Sequence, residues 1–64
     1  MNYGYIKKWD QNNGWGFIED ENGNDYFLNI SNLRRGIRIK EGMKVKFDIF
    51  CGQRGDEAEN VSLV

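Results

Sequence analysis

Trp15 and Phe17 stand two residues apart, flanked by Gly14 and Gly16, and Phe27 follows ten residues after Phe17. In a β-strand, residues at i and i+2 point to the same face, so the indole and the phenyl ring come to lie side by side. The flanking glycines bring no side chains to crowd them. Flat rings on an open sheet face suit flat partners, and a nucleobase stacked on such a ring is held by roughly 1–3 kcal/mol. The same spacing also fits a core face, and exposed large rings are uncommon on a small protein. Ile18, Tyr26 and Leu28 supply the opposite phase, however, and so small a domain cannot enclose both sets. Exposure of the rings is the better reading.

Lys7 and Lys8 lie near the rings in sequence and suit contacts to phosphates or base edges. Taken alone they are ordinary solvated charges. Asp25 can accept a hydrogen bond from a base edge, or simply complete a hairpin turn as aspartate commonly does. Asn29 offers a polar contact but stacks poorly and does not titrate near neutrality. Catalysis finds no support. The chain has no histidine and a single cysteine, Cys51, so neither an intrachain disulfide nor the usual zinc-ligand spacing is available. No nucleophile has an adjacent base. The expectation is a protein that is not an enzyme, without metal or cofactor.

The net charge of −1 argues against a polyanion binder held by charge alone, but not against stacking. Arg34, Arg35, Arg38 and Lys40 form the most basic stretch, and Glu19-Asp20-Glu21 and Asp56-Glu57-Ala58-Glu59 the most acidic. The basic run serves equally well as a soluble loop. The N-terminus lacks the basic and apolar regions of a signal peptide, and no apolar run reaches membrane-spanning length. With one cysteine, a reducing cytoplasm is the simplest compartment.

The elements that must position these side chains are short strands. Sixty-four residues make one domain, residues 1–64, whose core can supply only a few kcal/mol net. Period-2 patterning predicts strands over Tyr3 to Trp9, Trp15 to Glu19, Tyr26 to Ile30, Met43 to Phe50 and Ala58 to Val64. Asn22-Gly23 marks a hairpin between the second and third. Ser31 is placed to cap one short helical turn before Gly36, and Ile37 to Gly42 reads as a loop. Cys51 to Asp56 reads as a glycine-rich loop. Five strands with a longer connection after the third predict an all-β, antiparallel, five-stranded barrel, since closure removes exposed edges. Its predicted core is Ile6, Ile18, Tyr26, Leu28, Leu33, Val45, Phe47, Ile49 and Val61. Simple alternation puts Trp9 beside Lys7 on the outer face, although packing over a barrel end suits it equally.

From Gly4 to Val61 the chain resembles a bacterial cold-shock domain. Asn13-Gly14-Trp15-Gly16-Phe17-Ile18 is similar to the family's Lys-Gly-Phe-Gly-Phe-Ile run. Asp25-Tyr26-Phe27-Leu28-Asn29-Ile30-Ser31 is similar to its Asp-Val-Phe-Val-His-Phe-Ser run. Glu41-Gly42, Gly52-Gln53-Arg54-Gly55 and Ala58-Glu59-Asn60-Val61 follow in the family's order. The resemblance implies an OB-fold-like barrel that binds single-stranded RNA or DNA, with pyrimidine-rich strands favoured, as a monomer or weak dimer and away from membranes. It implies RNA chaperone or antiterminator activity. It also implies stacking by Trp15, Phe17 and Phe27 and contacts from Lys7, Asp25 and Arg54; the residues themselves add Trp9 as a fourth ring, Lys8 as a phosphate contact and Asn29 as a polar contact, and Ile30 completes the candidate site.

Several positions depart from the family pattern. Lys8 stands where an exposed tryptophan is usual, Trp9 where phenylalanine is, Asn29 for histidine, Ile30 for phenylalanine, Asn13 for lysine and Asp56 for proline. Ile37 takes the place of another exposed aromatic. Three lost rings, at roughly 1–3 kcal/mol each, predict binding weakened to micromolar or worse. The rival reading is a protein-interaction module of the same fold, with Ile30 and Ile37 completing an apolar patch.

Overall fold

The computed structural model describes residues 1–64. Five strands, β1 (Asn2–Asp10), β2 (Trp15–Asp20), β3 (Asp25–Asn29), β4 (Lys44–Gly52) and β5 (Gly55–Leu63), close in the order β1-β2-β3-β5-β4. The all-β barrel matches the expectation, with one refinement. The seam between β3 and β5 is parallel, while every other pairing is antiparallel. No α-helix forms; one 3₁₀ turn spans Ile30–Asn32.

Hydrogen bonding by short polar side chains builds the turns. The Asp20 carboxylate accepts from the backbone N–H groups of Asn22 and Asn24, 2.9 Å each, and from the Tyr26 hydroxyl at 2.8 Å. Gly23 adopts φ +84°, as the Asn-Gly signal requires. At the other end of β2, Asp10 accepts from the backbone and side-chain N–H groups of Asn13. Both carboxyls are held below their usual value of 3.8, chiefly because these bonds favour the ionised form.

The buried cluster comprises Ile6, Ile18, Tyr26, Leu28, Ile39, Val45, Phe47, Ala58 and Val61, with Trp9, Leu33, Ile37 and Met43 packed against it. Ile49 is a correction: it is 38% exposed. The β1–β4 ladder ends at Asn2 opposite Phe47, so β4 beyond that point is flanked by β5 alone and has no strand to cover it. Ile39 lies in the loop expected over Ile37 to Gly42, yet it is buried in the core cluster, as its alternation with the exposed Arg38 and Lys40 signals. The Cys51 to Asp56 loop is also corrected. Cys51 pairs with Asp56 and Gly52 with Gly55, leaving Gln53 and Arg54 as a two-residue hairpin turn. The short helical turn begins two residues earlier than expected. Asn29, rather than Ser31, caps it, its Oδ1 accepting from the Ser31 N–H at 2.9 Å and hydroxyl at 3.0 Å.

Two irregularities shape the barrel. Between Ile6 and Lys8 the register against β2 advances two residues on β1 for one on β2, so Lys7 is bulged out. Between Lys46 and Asp48 the extra residue lies on β5, where Asn60 takes φ 54° and donates from Nδ2 to Asp48 at 3.0 Å.

Candidate nucleic-acid interface

The β2–β3 register assembles the aromatic site. Trp15 pairs with Asn29, Phe17 with Phe27 and Glu19 with Asp25, so all six side chains share the outer face. The rings form one cluster. Trp15 and Phe27 are stacked at 6.5 Å between centroids and 18° between planes; Phe17 meets both edge-on, at 6.0 and 5.7 Å. None of the three belongs to the barrel core. Trp15 and Phe17 are half-buried, and their free edges face solvent.

Phe27 differs from the expectation of an open platform. It is only 8% exposed, although it lies outside the barrel. Its neighbours Trp15 and Phe17 cover its sides, and the Arg54 guanidinium sits over the ring at 4.6 Å. Lys8 places its ammonium over Trp15 at 5.2 Å in the same manner. Cation–π attraction of this kind is worth about 0.5–1 kcal/mol at exposed sites. A base seeking either ring meets a cation already there.

The bulge at Lys7 decides what β1 contributes. It moves Lys8 opposite Phe17, on the outer face, and Trp9 opposite Gly16, on the inner one. The alternation that placed Trp9 beside Lys7 is therefore corrected. Trp9 packs against the core and donates from Nε1 to Gln11 at 2.9 Å. A Cβ at Gly16 would overlap the Lys8 carbonyl and the Trp9 ring. Gly16 thus permits the close approach of β1 rather than clearing space around the outer rings. Lys7 itself pairs with Asp25 at 3.0 Å, and the bond and charge of that carboxylate raise the ammonium's pKa above its usual 10.5.

Two shallow grooves flank the rings. One, about 390 Å³, is bounded by Lys7, Lys8, Phe17, Asp25 and Glu41. The other, about 410 Å³, lies beside Phe27 and is bounded by Asn29, Phe50, Gln53, Arg54 and Glu57 among others. Three cations and three carboxylates thus share the rims. Ile30 stands exposed beyond Asn29, its N–H bonded to the Gly14 carbonyl at 2.8 Å. Asn29 spends its carbonyl oxygen on the 3₁₀ turn, so its amide N–H₂ faces outward without a partner in the chain. Glu41, Phe50 and Glu57 join the site only through barrel closure, and no local signal marks them as site residues.

A barrel of this topology with an aromatic cluster on β2 and β3 defines a small oligomer-binding fold. The chain belongs to the cold-shock DNA-binding domain family, whose model matches residues 2–64. It is 43% identical over 63 residues to cold shock protein CspC of Bacillus subtilis, covering 95% of this chain and 96% of that protein. It is 41% identical over 64 residues to the major cold shock protein of Streptococcus pyogenes, covering 97% and 96% respectively. Among solved structures, the Drosophila Unr CSD456 structure superposes with a TM-score of 0.79 at 17% identity. That match covers 98% of this chain and 26% of the longer one, and at such identity it speaks for the fold alone.

Proposed function

We propose that the protein binds single-stranded RNA or DNA by stacking bases on Trp15 and Phe17, without catalysis. Phe27 is the third ring, reached when Arg54 swings aside or sandwiches the incoming base. Lys7, Lys8 and Arg54 meet phosphates or base edges, Asp25 and the Asn29 amide offer polar contacts, and Ile30 closes the strand's path. Trp9 acts from beneath, as support for β1. The observation that carries this reading is the pair of half-buried rings on an outer sheet face with lysines at their rim. Family membership supports it. Binding of this kind opens weak secondary structure by trapping its unpaired form, which is the action of an RNA chaperone or antiterminator. Pyrimidine-rich strands, a cytoplasmic location and a monomer or weak dimer complete the proposal.

Oligouridylate titrated into the protein should quench the fluorescence of Trp15, because the base lies against its ring. Rims of balanced charge predict a shallow salt dependence, a log–log slope of about −1 to −2 at roughly −0.7 per phosphate. Trp15→Ala should weaken binding about 5- to 100-fold, the equivalent of one lost stack. Absence of quenching at low salt would remove the proposal. The rival protein-interaction reading needs Ile30 and Ile37 on one patch; Ile30 is exposed, while Ile37 is half-buried and packs against the core.

A further inference from the structure

A second aromatic and basic surface lies on the outer face of β1 and β4, away from the grooves described above. Tyr3 and Tyr5 are 50% and 54% exposed, although a chain this small has few large side chains to spare from its core. They stand at i and i+2 on β1, on one face, with their Cα atoms about 6.6 Å apart along the strand. The β1–β4 register sets Tyr3 opposite Lys46 and Tyr5 opposite Lys44. Lys44 leans diagonally, its ammonium 5.8 Å from the Tyr3 ring centroid. Neither lysine has a carboxylate at ion-pair distance; Lys7–Asp25 is the molecule's single ion pair. Two exposed rings beside two cations free of ion pairs repeat the chemistry of the Trp15–Phe17 cluster.

The two surfaces are joined by β1. Its outer face runs from Lys8, opposite Phe17, past the bulged Lys7 to Tyr5 and Tyr3. Charge sets the route along it. Glu19 pairs with Tyr5 from the β2 side, and Glu21 borders the small hollow beside Tyr3 and Tyr5, whose β4 side is Lys44. A polyanion is repelled there and drawn to the β4 side, where Lys44 and Lys46 stand. Arg34 and Lys46 share the rim of a further hollow with a single carboxylate, Asp48, whose Oδ2 already accepts from Asn60.

We infer that Tyr3, Tyr5, Lys44 and Lys46 form an additional subsite for single-stranded nucleic acid. A strand leaving Phe17 past Lys7 stacks bases on the two tyrosines and lays its phosphates toward the β4 lysines. The inference rests on the stacking function proposed above and lengthens its site by about two nucleotides, one for each ring.

The test compares hexauridylate with decauridylate on the intact chain, by fluorescence anisotropy of labelled strands. Tyr3→Ser/Tyr5→Ser should leave hexamer affinity within about twofold of wild type and weaken decamer binding about tenfold or more, one or two lost stacks. Lys44→Gln/Lys46→Gln should reduce the decamer's log–log salt slope by about 1, and leave the hexamer's slope unchanged. In wild type, the decamer but not the hexamer should shift the ring proton resonances of Tyr3 and Tyr5. Both variants alter exposed side chains, and thermal unfolding checks that they fold. Equal decamer affinity in wild type and the tyrosine variant, or unmoved tyrosine resonances, overturns the subsite while the Trp15–Phe17 site stands; the tyrosine pair is then a surface for protein. Failure of wild type to bind either strand overturns the stacking function and the subsite together.

Discussion

Phe17 and Phe27 are paired across β2 and β3, yet their surroundings give them different work. Phe17 keeps an edge to solvent, while Phe27 is enclosed by two rings and a guanidinium. Removing Phe27 leaves a hole that its rigid neighbours cannot fill, so Phe27→Ala should cost about 2–4 kcal/mol in urea denaturation. Phe17→Ala should cost about half as much stability and weaken strand binding by one stack. Equal losses of stability in the two variants would contradict the enclosure of Phe27. The sequence marked both rings as outward by their phase relative to Ile18, Tyr26 and Leu28, and that phase is what the structure has. The resemblance named Arg54 as a contact, but no local signal set it over Phe27, because a guanidinium twenty-seven residues away reaches that ring only after β5 has paired with β3.

At the scale of the element, the single bulged residue in β1 governs the site. Lys7 interrupts an alternation that otherwise carries Trp9 outward, and it thereby hands the outer position opposite Phe17 to Lys8. Bulges of this kind re-aim side chains where a strict pleat cannot. Gly16 is the partner that tolerates it, since β1 runs too close for any side chain there. Gly16→Ala should therefore destabilise the barrel by about 1–3 kcal/mol, the range of an overpacked core. The same variant should lose affinity for oligouridylate by displacing Lys8 from Trp15. Unchanged thermal unfolding would mean that β1 can shift freely and that the bulge is not held by this contact. From sequence, Tyr3 to Trp9 reads as an unbroken period of two, because a bulge leaves the residue types unaltered and changes only which of them face each other.

For the molecule as a whole, the titrating groups predict a broad pH plateau. Asp10 and Asp20 are held below 3.8 in the fold, so the stability they supply is present above the unfolded value and lost as pH falls through the folded one. Tyr26 is raised above 10.0, mainly by its bond to Asp20, and Lys7 above 10.5 by Asp25. Their contributions are complete below those values and vanish as pH rises through the folded pKa. With no histidine in the chain, no imidazole step falls between them. Urea midpoints should stay level from about pH 5 to about 9, falling on either side, and oligouridylate affinity should be nearly flat between about pH 6 and 8. A step near pH 6.5 in either measurement would contradict this.

Period-2 patterning, turn residues and the two aromatic runs were enough, without coordinates, to place five strands, most of the core and the ring-bearing face. These are local properties: alternation, left-handed glycines and short polar caps act over a few residues, and the chain states them directly. Tertiary structure alone decided that Ile49 is uncovered, that Ile39 and Ala58 join the core, that Trp9 turns inward, that Glu41 and Phe50 rim the aromatic cluster, and that the cations of Lys8 and Arg54 lie over its rings. Each of those outcomes depends on which strand lies beside which and in what register. Register is a relation between distant segments, settled by packing once the barrel closes, and no window of sequence contains it.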